Sequence, residues 1–363
     1  MNDNNNDSED IKLKWSFCPF CGEKLPTVKQ LRFCTFCGLD LVYLQENKKL
    51  PPKFLDRKPT VESYSFPSYP DQIRLYDIDK ISDEDILNTK DKKLWSIFAS
   101  IGIPLASIII MNIMAVIVMI FYLLFSPSIE DLMNSLTDPY FLIITSFSEL
   151  ILILLPYIIV RKYLRNPSTK NRFALLGFTT KGVNYGKEII IGIIFSIIGI
   201  LLVFAVSVFM EILLELIFGV EIITDIAESG SGIDAIFFTS DLLSLILLMI
   251  TMILIVGTTE EILFRGFMQK GLVRRLGVKW GIFITAIVFT FIHLISIFLV
   301  YPIFSLSFVV VFFISFVPYI AISLLLGMLY HYRKENLIAV MVTHGLYDAL
   351  TILLVFIIYN LGI

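Results

Sequence analysis

The sequence has little charge for its length, and the shortage is concentrated in one region. Only 17% of the 363 residues are charged, whereas 56% are hydrophobic, and the mean hydropathy is +0.81. A soluble domain carries roughly 25% charged residues, so this composition excludes an ordinary soluble globule. Apolar runs follow one another from residue 94 almost to the C-terminus. We therefore expect an all-α polytopic membrane protein.

A cleavable leader is also missing from the start of the sequence. Residues 1–14 are rich in Asn and Asp, and they contain neither the basic segment nor the apolar core of a signal peptide. We expect these residues to be disordered. The net charge of −3 says little about partners, because the placement of the charges matters more than their sum. No nucleic acid partner is expected.

Cysteine is rare as well, with four residues that all lie in the first 40 positions. They form two CxxC pairs separated by twelve residues, and a glycine that suits a tight knuckle turn follows each pair. Two such knuckles supply four thiolates to one tetrahedral zinc ion, so residues 15–44 resemble a zinc ribbon with a structural zinc. The alternative is two disulfides, which require an oxidising compartment. The four ligands of the predicted zinc are Cys18, Cys21, Cys34 and Cys37.

Residues 45–93 carry several prolines and mixed charge without a sustained hydrophobic period. We interpret them as a cytoplasmic linker between the ribbon and a transmembrane domain over residues 94–363. The ribbon leaves no open metal position for chemistry, since all four positions of a structural zinc are filled by protein. Its expected role is structural, or the binding of a protein partner that the sequence does not identify.

The apolar region divides into about seven segments that are long enough to cross roughly 30 Å of hydrocarbon. An eighth crossing follows if residues 303–330 are two segments rather than one. Pro318 lies inside that segment and predicts a bend there. The predicted spans are 94–125, 140–160, 187–218, 242–262, 280–300, 304–330 and 336–360.

Basic residues are absent from every second connection between these spans. All fourteen Lys and Arg that follow residue 93 lie in the connections 161–187, 264–279 and 331–336. An excess of Lys and Arg marks the cytoplasmic side. We therefore predict a multi-pass protein of the cell membrane with a cytoplasmic N-terminus and an external C-terminus. A reducing cytosol also favours zinc over disulfides at the cysteines.

Two adjacent carboxylates and an arginine follow the uncharged run from Leu242 to Val256. Charges at membrane depth are costly and by default indicate a functional site. On a helix, Glu261 and Arg265 lie four apart and can pair, whereas Glu260 points about 100° away. One carboxylate is therefore held by the arginine, while the other is free to act as a general base.

Two further spans contain buried polar groups. His293 lies inside the fifth predicted span, and His344 and Asp348 lie four apart in the seventh. Each could be an interior residue that is merely hydrogen-bonded to its neighbours. Together they could instead form a catalytic site, in which Glu260 and His293 hold a water for attack and His344, oriented by Asp348, donates to the developing oxyanion. The same groups suit a zinc ion, but the HExxH spacing of zinc peptidases is missing. Glu149 in the second span has no obvious partner.

In this order and in separate spans, the motifs Glu260-Glu261-xxx-Arg265, Phe289-xxx-His293 and His344-xxx-Asp348 resemble the signature of the CPBP family. This family comprises CAAX prenyl endopeptidases and bacteriocin-processing relatives, and it is also called the Abi family. The resemblance covers about residues 180–360. It implies a glutamic endopeptidase in which Glu260 and His293 activate water, His344 and Asp348 form the oxyanion site, and Glu261 and Arg265 support the first motif. Asp348 stands where many members have Asn.

The resemblance implies a substrate that is a membrane-bound or lipidated peptide, with prenylated CAAX-type peptides as one candidate. No catalytic metal is expected. Two other classes of function are considered. One is a catalytically silent membrane scaffold or regulator whose ribbon recruits a partner. The other is a transporter, which would need a polar path to both faces, and the external halves of the spans offer few polar groups.

Overall fold

The fold is described from a computed structural model, which describes residues 15–26, 31–54, 80–90, 92–124, 138–229 and 241–361. The chain divides into two compact units, one up to Lys80 and the other from Ile81 onward. The predicted disorder of residues 1–14 and most of the predicted linker lie outside the described residues. The boundaries predicted for the domains therefore remain predictions.

The first unit is built from two similar knuckles. In each knuckle, the glycine after the second cysteine has a positive φ, near 75°, and donates its N–H to the first cysteine of the pair. The four sulfurs all lie within 4.8 Å of one another, and two pairs of them are 3.6 and 3.7 Å apart. A tetrahedral zinc with Zn–S bonds of about 2.3 Å places sulfurs about 3.8 Å apart, whereas a disulfide needs about 2.05 Å. These cysteines can hold a structural zinc.

Helix α1, Leu41–Asn47, follows the second knuckle and begins at Asp40, whose carboxylate accepts a hydrogen bond from the N–H of Tyr43. Its buried leucines and Phe54 pack against the knuckles, with Phe20 edge-on to Phe54 at 5.0 Å. The small apolar core of the unit thus surrounds the cysteines.

The second unit is a bundle of helices with apolar outward faces. Within the described residues, six helices are long and apolar enough to span a membrane, and a shorter apolar pair lies between the fourth and the fifth of them. In lipid, a helix satisfies its backbone hydrogen bonds internally. The helices are α2 Ile97–Leu123, α3 Pro139–Tyr163, α4 Thr169–Leu175, α5 Tyr185–Phe218, α6 Val220–Ser229, α7 Leu242–Leu276, α8 Val278–His293, α9 Ile295–Val300, α10 Leu306–Tyr332 and α11 Ile338–Leu361.

The prediction of an all-α polytopic membrane protein is confirmed, and so are most of the predicted spans. The predicted fifth span, 280–300, consists of the pair α8 and α9 with a break at Leu294, and α8 is shorter than the six candidate spans. Helix α10 is continuous through Pro318, so the alternative of two segments over residues 303–330 is wrong.

The end predicted for the fourth span is also wrong. Helix α7 continues beyond residue 262 to Leu276 and ends at Gly277, which has a φ of +82°. Arg265, which the sequence predicts to lie in a connection, pairs with Glu261 inside the helix. Its charge therefore does not end the helix. Glu260 therefore lies near the middle of its helix rather than near an end.

The connections rich in Lys and Arg meet at one end of the bundle, which we call the basic end. There Arg275 at the end of α7 donates to the carbonyls of Leu94 and Trp95, just before α2. The Leu337 N–H, before α11, donates to the Gly177 carbonyl. Residues 81–90 and 92–95 pack onto this end, with Trp95 fully buried and stacked on Phe267.

Helices α7 and α11 approach each other through glycines, and this contact positions the polar residues. A Cβ on Gly257 would lie 2.6 Å from the backbone N of Gly345, and a Cβ on Gly345 would lie 2.6 Å from Cα of Ile253. Small residues at such an interface let two membrane helices come close. The two glutamates of α7 are thereby brought beside His344 of α11.

Candidate active site

Two π-helical segments, Met252–Val256 and Ile262–Gln269, interrupt helix α7 on either side of Gly257–Glu261. A π-helical turn contains an extra residue and is frequent at functional sites, because it redirects side chains. The two glutamates lie in the short α-helical part between these segments. Glu261 is fully buried, whereas the side chain of Glu260 is 14% exposed.

Arg265 holds Glu261 in place. Its Nη1 lies 2.8 Å from Glu261 Oε1, and both side chains are fully buried. Its Nη2 donates to the hydroxyl of Ser323 in α10 at 3.0 Å, and the guanidinium lies over the ring of Phe289, 4.7 Å from the centroid. Removal of one partner from a buried ion pair leaves a charge that is very costly. The pair therefore locks the first motif to α8 and α10.

Glu261 in turn orients His344. Oε1 of Glu261 lies 2.6 Å from Nδ1 of His344. An ionised carboxylate can only accept, so Nδ1 carries a hydrogen and donates it. The other ring nitrogen, Nε2, faces two carboxylates, at 3.7 Å from Glu260 Oε2 and 3.4 Å from Asp348 Oδ2. The sequence predicts that Asp348 orients this ring, whereas in the structure the hydrogen bond at Nδ1 goes to Glu261.

Glu260 faces His293 of α8 as well as His344. Oε2 of Glu260 lies 3.7 Å from Nε2 of His293, beyond direct hydrogen bonding, and this buried oxygen accepts no hydrogen bond. Nδ1 of His293 lies 2.9 Å from the carbonyl oxygen of Phe289. Since a carbonyl can only accept, Nδ1 is the donor, and Nε2 of the neutral ring carries a lone pair. Glu260 and His293 thus direct two acceptors toward the same point.

These groups line a cavity of about 370 Å³ between α5, α7, α8, α10 and α11. Glu260, His293, His344 and Asp348 all contribute to its wall, and the remaining lining is mostly apolar. Oε2 of Glu261 also lacks a partner, but Glu261 does not line the cavity. The structure therefore brings together all six residues named from the sequence, four of them at the cavity and two behind it.

Several residues of the site carry no recognisable signal in the sequence. Ser323 is one hydroxyl among many in apolar helices, which usually bond to their own backbone. Tyr319, whose ring lies 5.2 Å from that of His293, looks like an ordinary apolar-helix aromatic residue. Tyr347 also lines the cavity, and its position between His344 and Asp348 could have indicated it.

Glu149 has a partner that the sequence did not indicate. Its Oε2 accepts a hydrogen bond of 3.3 Å from the hydroxyl of Thr259, the neighbour of Glu260. It lines a separate, mainly apolar cavity of about 410 Å³ together with Leu248 and Met252 of α7. Glu149 thus lies behind the helix that carries the glutamates, outside the cavity of the site.

Comparison with known families agrees with this arrangement. Residues 242–350 match the family model of the type II CAAX prenyl endopeptidase Rce1-like proteins. This segment contains all six residues named above, and the predicted resemblance is confirmed for this part of the chain. Residues 242–350 are therefore similar to the CAAX prenyl endopeptidases of this family. No curated protein and no solved structure matches the chain significantly.

Proposed function

We propose that this protein is an intramembrane endopeptidase of the glutamic type that hydrolyses peptide bonds of membrane-associated substrates. The observation that carries the proposal is Oε2 of Glu260, which accepts no hydrogen bond from the described residues and faces His293 across 3.7 Å at the wall of the cavity. A polar contact of that length is suited to a shared water molecule. The match of residues 242–350 to a CAAX endopeptidase family supports the same reaction.

In the proposed reaction Glu260 is the general base. One O–H of the attacking water donates to Glu260, and the other donates to the lone pair of His293 Nε2. Glu260 takes its proton as the water oxygen bonds to the carbonyl carbon of the substrate. The same proton then passes to the amide nitrogen as the C–N bond breaks, so that the carboxylate is regenerated. A general base or acid of this kind contributes roughly 10²–10⁴-fold to a rate.

His344 is the proposed donor to the oxyanion. With Nδ1–H bonded to Glu261, Nε2 carries a hydrogen only in the imidazolium form. Three carboxylates face the ring at 2.6 to 3.7 Å, and opposite charges at such distances stabilise one another. Asp348 can donate a second hydrogen bond to the oxyanion only when it is protonated; otherwise it accepts from His344.

The substrate class follows from the position of the site. Glu260 lies ten residues before Lys270 at the basic end, about 15 Å along α7, so the peptide must enter the membrane region. Apolar side chains of α10, including Ile314, Pro318 and Ile322, line the cavity and suit apolar residues of a substrate. We propose a membrane-associated peptide, with a prenylated CAAX-type peptide as the first candidate. The excess of Lys and Arg supports a cytoplasmic basic end.

The ribbon is proposed to hold one structural zinc through Cys18, Cys21, Cys34 and Cys37. All four thiolates are used by the metal, so the zinc would supply folding energy and no catalysis. A protein partner bound by the ribbon remains a prediction. The membrane site is proposed to work without this metal.

The test is cleavage of a farnesylated CAAX peptide by the full-length protein in membrane vesicles. We expect cleavage by the wild type, and on the order of 10³ times less by Glu260→Gln. The control Glu211→Gln makes the same chemical change at an exposed carboxylate of α5 and should retain activity. Inverted vesicles should cleave added peptide, whereas right-side-out vesicles should not.

A chelator separates the glutamic mechanism from a metal mechanism. In the full-length Cys18→Ser/Cys21→Ser variant, activity that survives chelation supports catalysis by Glu260 alone. Activity lost to the chelator in that variant would place a metal on His293 and His344. Full activity of Glu260→Gln would refute the mechanism, and failure to cleave a panel of membrane peptides would favour the silent scaffold.

A further inference from the structure

A second cleft lies at the basic end of the bundle, away from the site. It has a volume of about 540 Å³ and is formed by the Gly177–Glu188 segment and the Tyr332–Asn336 turn, with Lys270 of α7 at its wall. The cleft and the cavity at Glu260 have different lining residues. The fully buried core residues Leu337 and Phe267 line neither of them. The proposed function makes no use of this cleft.

The cleft is strongly positive. Five basic and two acidic side chains line it, which leaves a net charge of +3. Both acids are already paired, Glu188 with Arg333, and Glu335 with Lys270 and Arg274. The remaining basic residues are Lys181, Lys187 and Lys334, which are exposed. Among the residues that the structure describes, none of these three lysines forms an ion pair.

The backbone around the cleft adopts a costly conformation. Lys334 and Glu335 have φ values of +55° and +63°, a region that non-glycine residues rarely adopt. Two such residues in succession are strained and persist only where the surroundings enforce them. Here the turn directs Glu335 inward to Lys270, while Lys334 lies at the cleft. A Cβ on Gly177 would collide with the Glu335 carbonyl, so the two walls are in close contact.

The position of the cleft, at the ends of apolar helices, is where lipid headgroups are expected. It is located at the first turn of α5 and at the last turn of α10, where two membrane-spanning helices meet the basic end. Tyr185 and Tyr332 are exposed beside it, and tyrosines are typical of the membrane interface. Basic pockets between membrane helices bind acidic lipid headgroups.

We propose that this cleft binds a phosphate group, as carried by the headgroup of an acidic phospholipid. The unpaired positive charge of the cleft comes from Lys181, Lys187 and Lys334. Arg333 and Lys270 are held back by their carboxylates and shape the wall. The bound headgroup would bridge the start of α5 to the turn before α11, the helix that carries His344.

The experiment measures lipid binding to the full-length protein in neutral detergent by native mass spectrometry. The probes are phosphatidylglycerol and phosphatidylcholine with identical acyl chains, and inorganic phosphate is used as a competitor. We expect the wild type to prefer phosphatidylglycerol. Each lysine near an anionic group is worth roughly 5-fold in binding. The triple variant Lys181→Gln/Lys187→Gln/Lys334→Gln should therefore bind it on the order of 100-fold more weakly.

A matched control is offered by three exposed lysines of the same end that do not line the cleft, in the variant Lys162→Gln/Lys170→Gln/Lys279→Gln. It removes the same charge and should keep the preference. An equal loss in both variants, or equal binding of the two lipids by the wild type, overturns the proposal. Displacement of phosphatidylglycerol by inorganic phosphate at equal concentration upholds the site and assigns free phosphate as its ligand.

Discussion

Helix α7 takes part in two buried clusters of charge, which differ in whether every carboxylate is paired with Lys or Arg. The cluster at the basic end consists of Lys270, Arg274 and Glu335, and its carboxylate is 2.7 Å from Arg274 and 3.4 Å from Lys270. The cluster in the membrane contains Glu261 and Arg265, which pair at 2.8 Å, and also Glu260. Oε2 of Glu260 accepts no hydrogen bond, although it is buried.

The comparison distinguishes a structural role from a chemical one. Buried polar groups are nearly always hydrogen-bonded, and an exception calls for an explanation. Glu335 and Glu261 have cationic partners and hold helices together. Glu260 has an oxygen without a donor at the wall of a cavity, and a substrate or a water molecule can supply that donor. Glu260 and Glu261 are adjacent on α7, yet Glu261 thus has a structural role and Glu260 a chemical one.

The largest expected effect is the contrast between Glu260→Gln and Glu261→Gln. We expect Glu260→Gln to lose about 10³-fold in peptide cleavage with an unchanged thermal unfolding midpoint, since Oε2 of Glu260 accepts no hydrogen bond from the described residues. Glu261→Gln should also lower the unfolding midpoint, because the fully buried Arg265 would lose its counter-charge at a cost of about 3 kcal/mol. Scanning calorimetry and peptide cleavage on both variants test this contrast. Equal stability of the two would contradict it.

The next effect concerns the close approach of α7 and α11. Gly345→Ala would place a Cβ 2.6 Å from the backbone of Ile253, and backbone cannot rotate away. The helices must separate, and displacements of about 1 Å cost roughly 100-fold in rate. The control is Gly102→Ala in α2, where a Cβ meets nothing within 4 Å. The measurement is the rate of peptide cleavage by both variants. A fully active Gly345→Ala would show that catalysis does not require the close approach of α7 and α11.

Glu335→Gln tests the paired cluster, and it should affect stability more than activity. Burial raises the pKa of Glu335, but Lys270 and Arg274 outweigh burial and hold this pKa below its ordinary value of 4.5. A carboxyl group whose pKa is lower in the folded state stabilises the fold at pH values above its ordinary pKa. This contribution is lost as the pH falls through the pKa of the folded state. We expect about 3 kcal/mol of destabilisation at neutral pH. Unfolding midpoints across pH should show that the difference from wild type shrinks below about pH 4.5.

The smallest effect on catalysis is expected from the ribbon. Cys18→Ser/Cys21→Ser removes two of the four thiolates and should release one zinc per chain, measured by atomic absorption. The ribbon and the membrane bundle are separate compact units, so peptide cleavage should stay within about two-fold of wild type. Loss of membrane insertion in this variant would show that the two units do not fold independently.

Much of the site could be predicted because its signals are local. The CxxC pairs place two ligands within four residues, and the i, i+4 spacing of Glu261 and Arg265 places them on one helical face. The three motifs lie in separate spans, and that they meet was predicted from polar groups placed inside apolar spans and from the resemblance to a family. The partner of His344 Nδ1, the hydroxyl of Ser323 and the Thr259 partner of Glu149 were missed, since each contact joins different helices.

The sequence by itself determined the class of the protein and the order of the spans, and it predicted the four clustered cysteines and the six polar residues that the structure brings together. Hydrophobic runs, charge placement and short spacings depend on neighbours along the chain, so they are legible without coordinates. The tertiary structure decided that α7 extends to Leu276 and that Glu261 rather than Asp348 binds Nδ1 of His344. It also decided that a buried oxygen of Glu260, which accepts no hydrogen bond from the described residues, lies at the cavity. Those outcomes depend on how closely glycines let α7 and α11 pack, and packing is a property of the whole bundle.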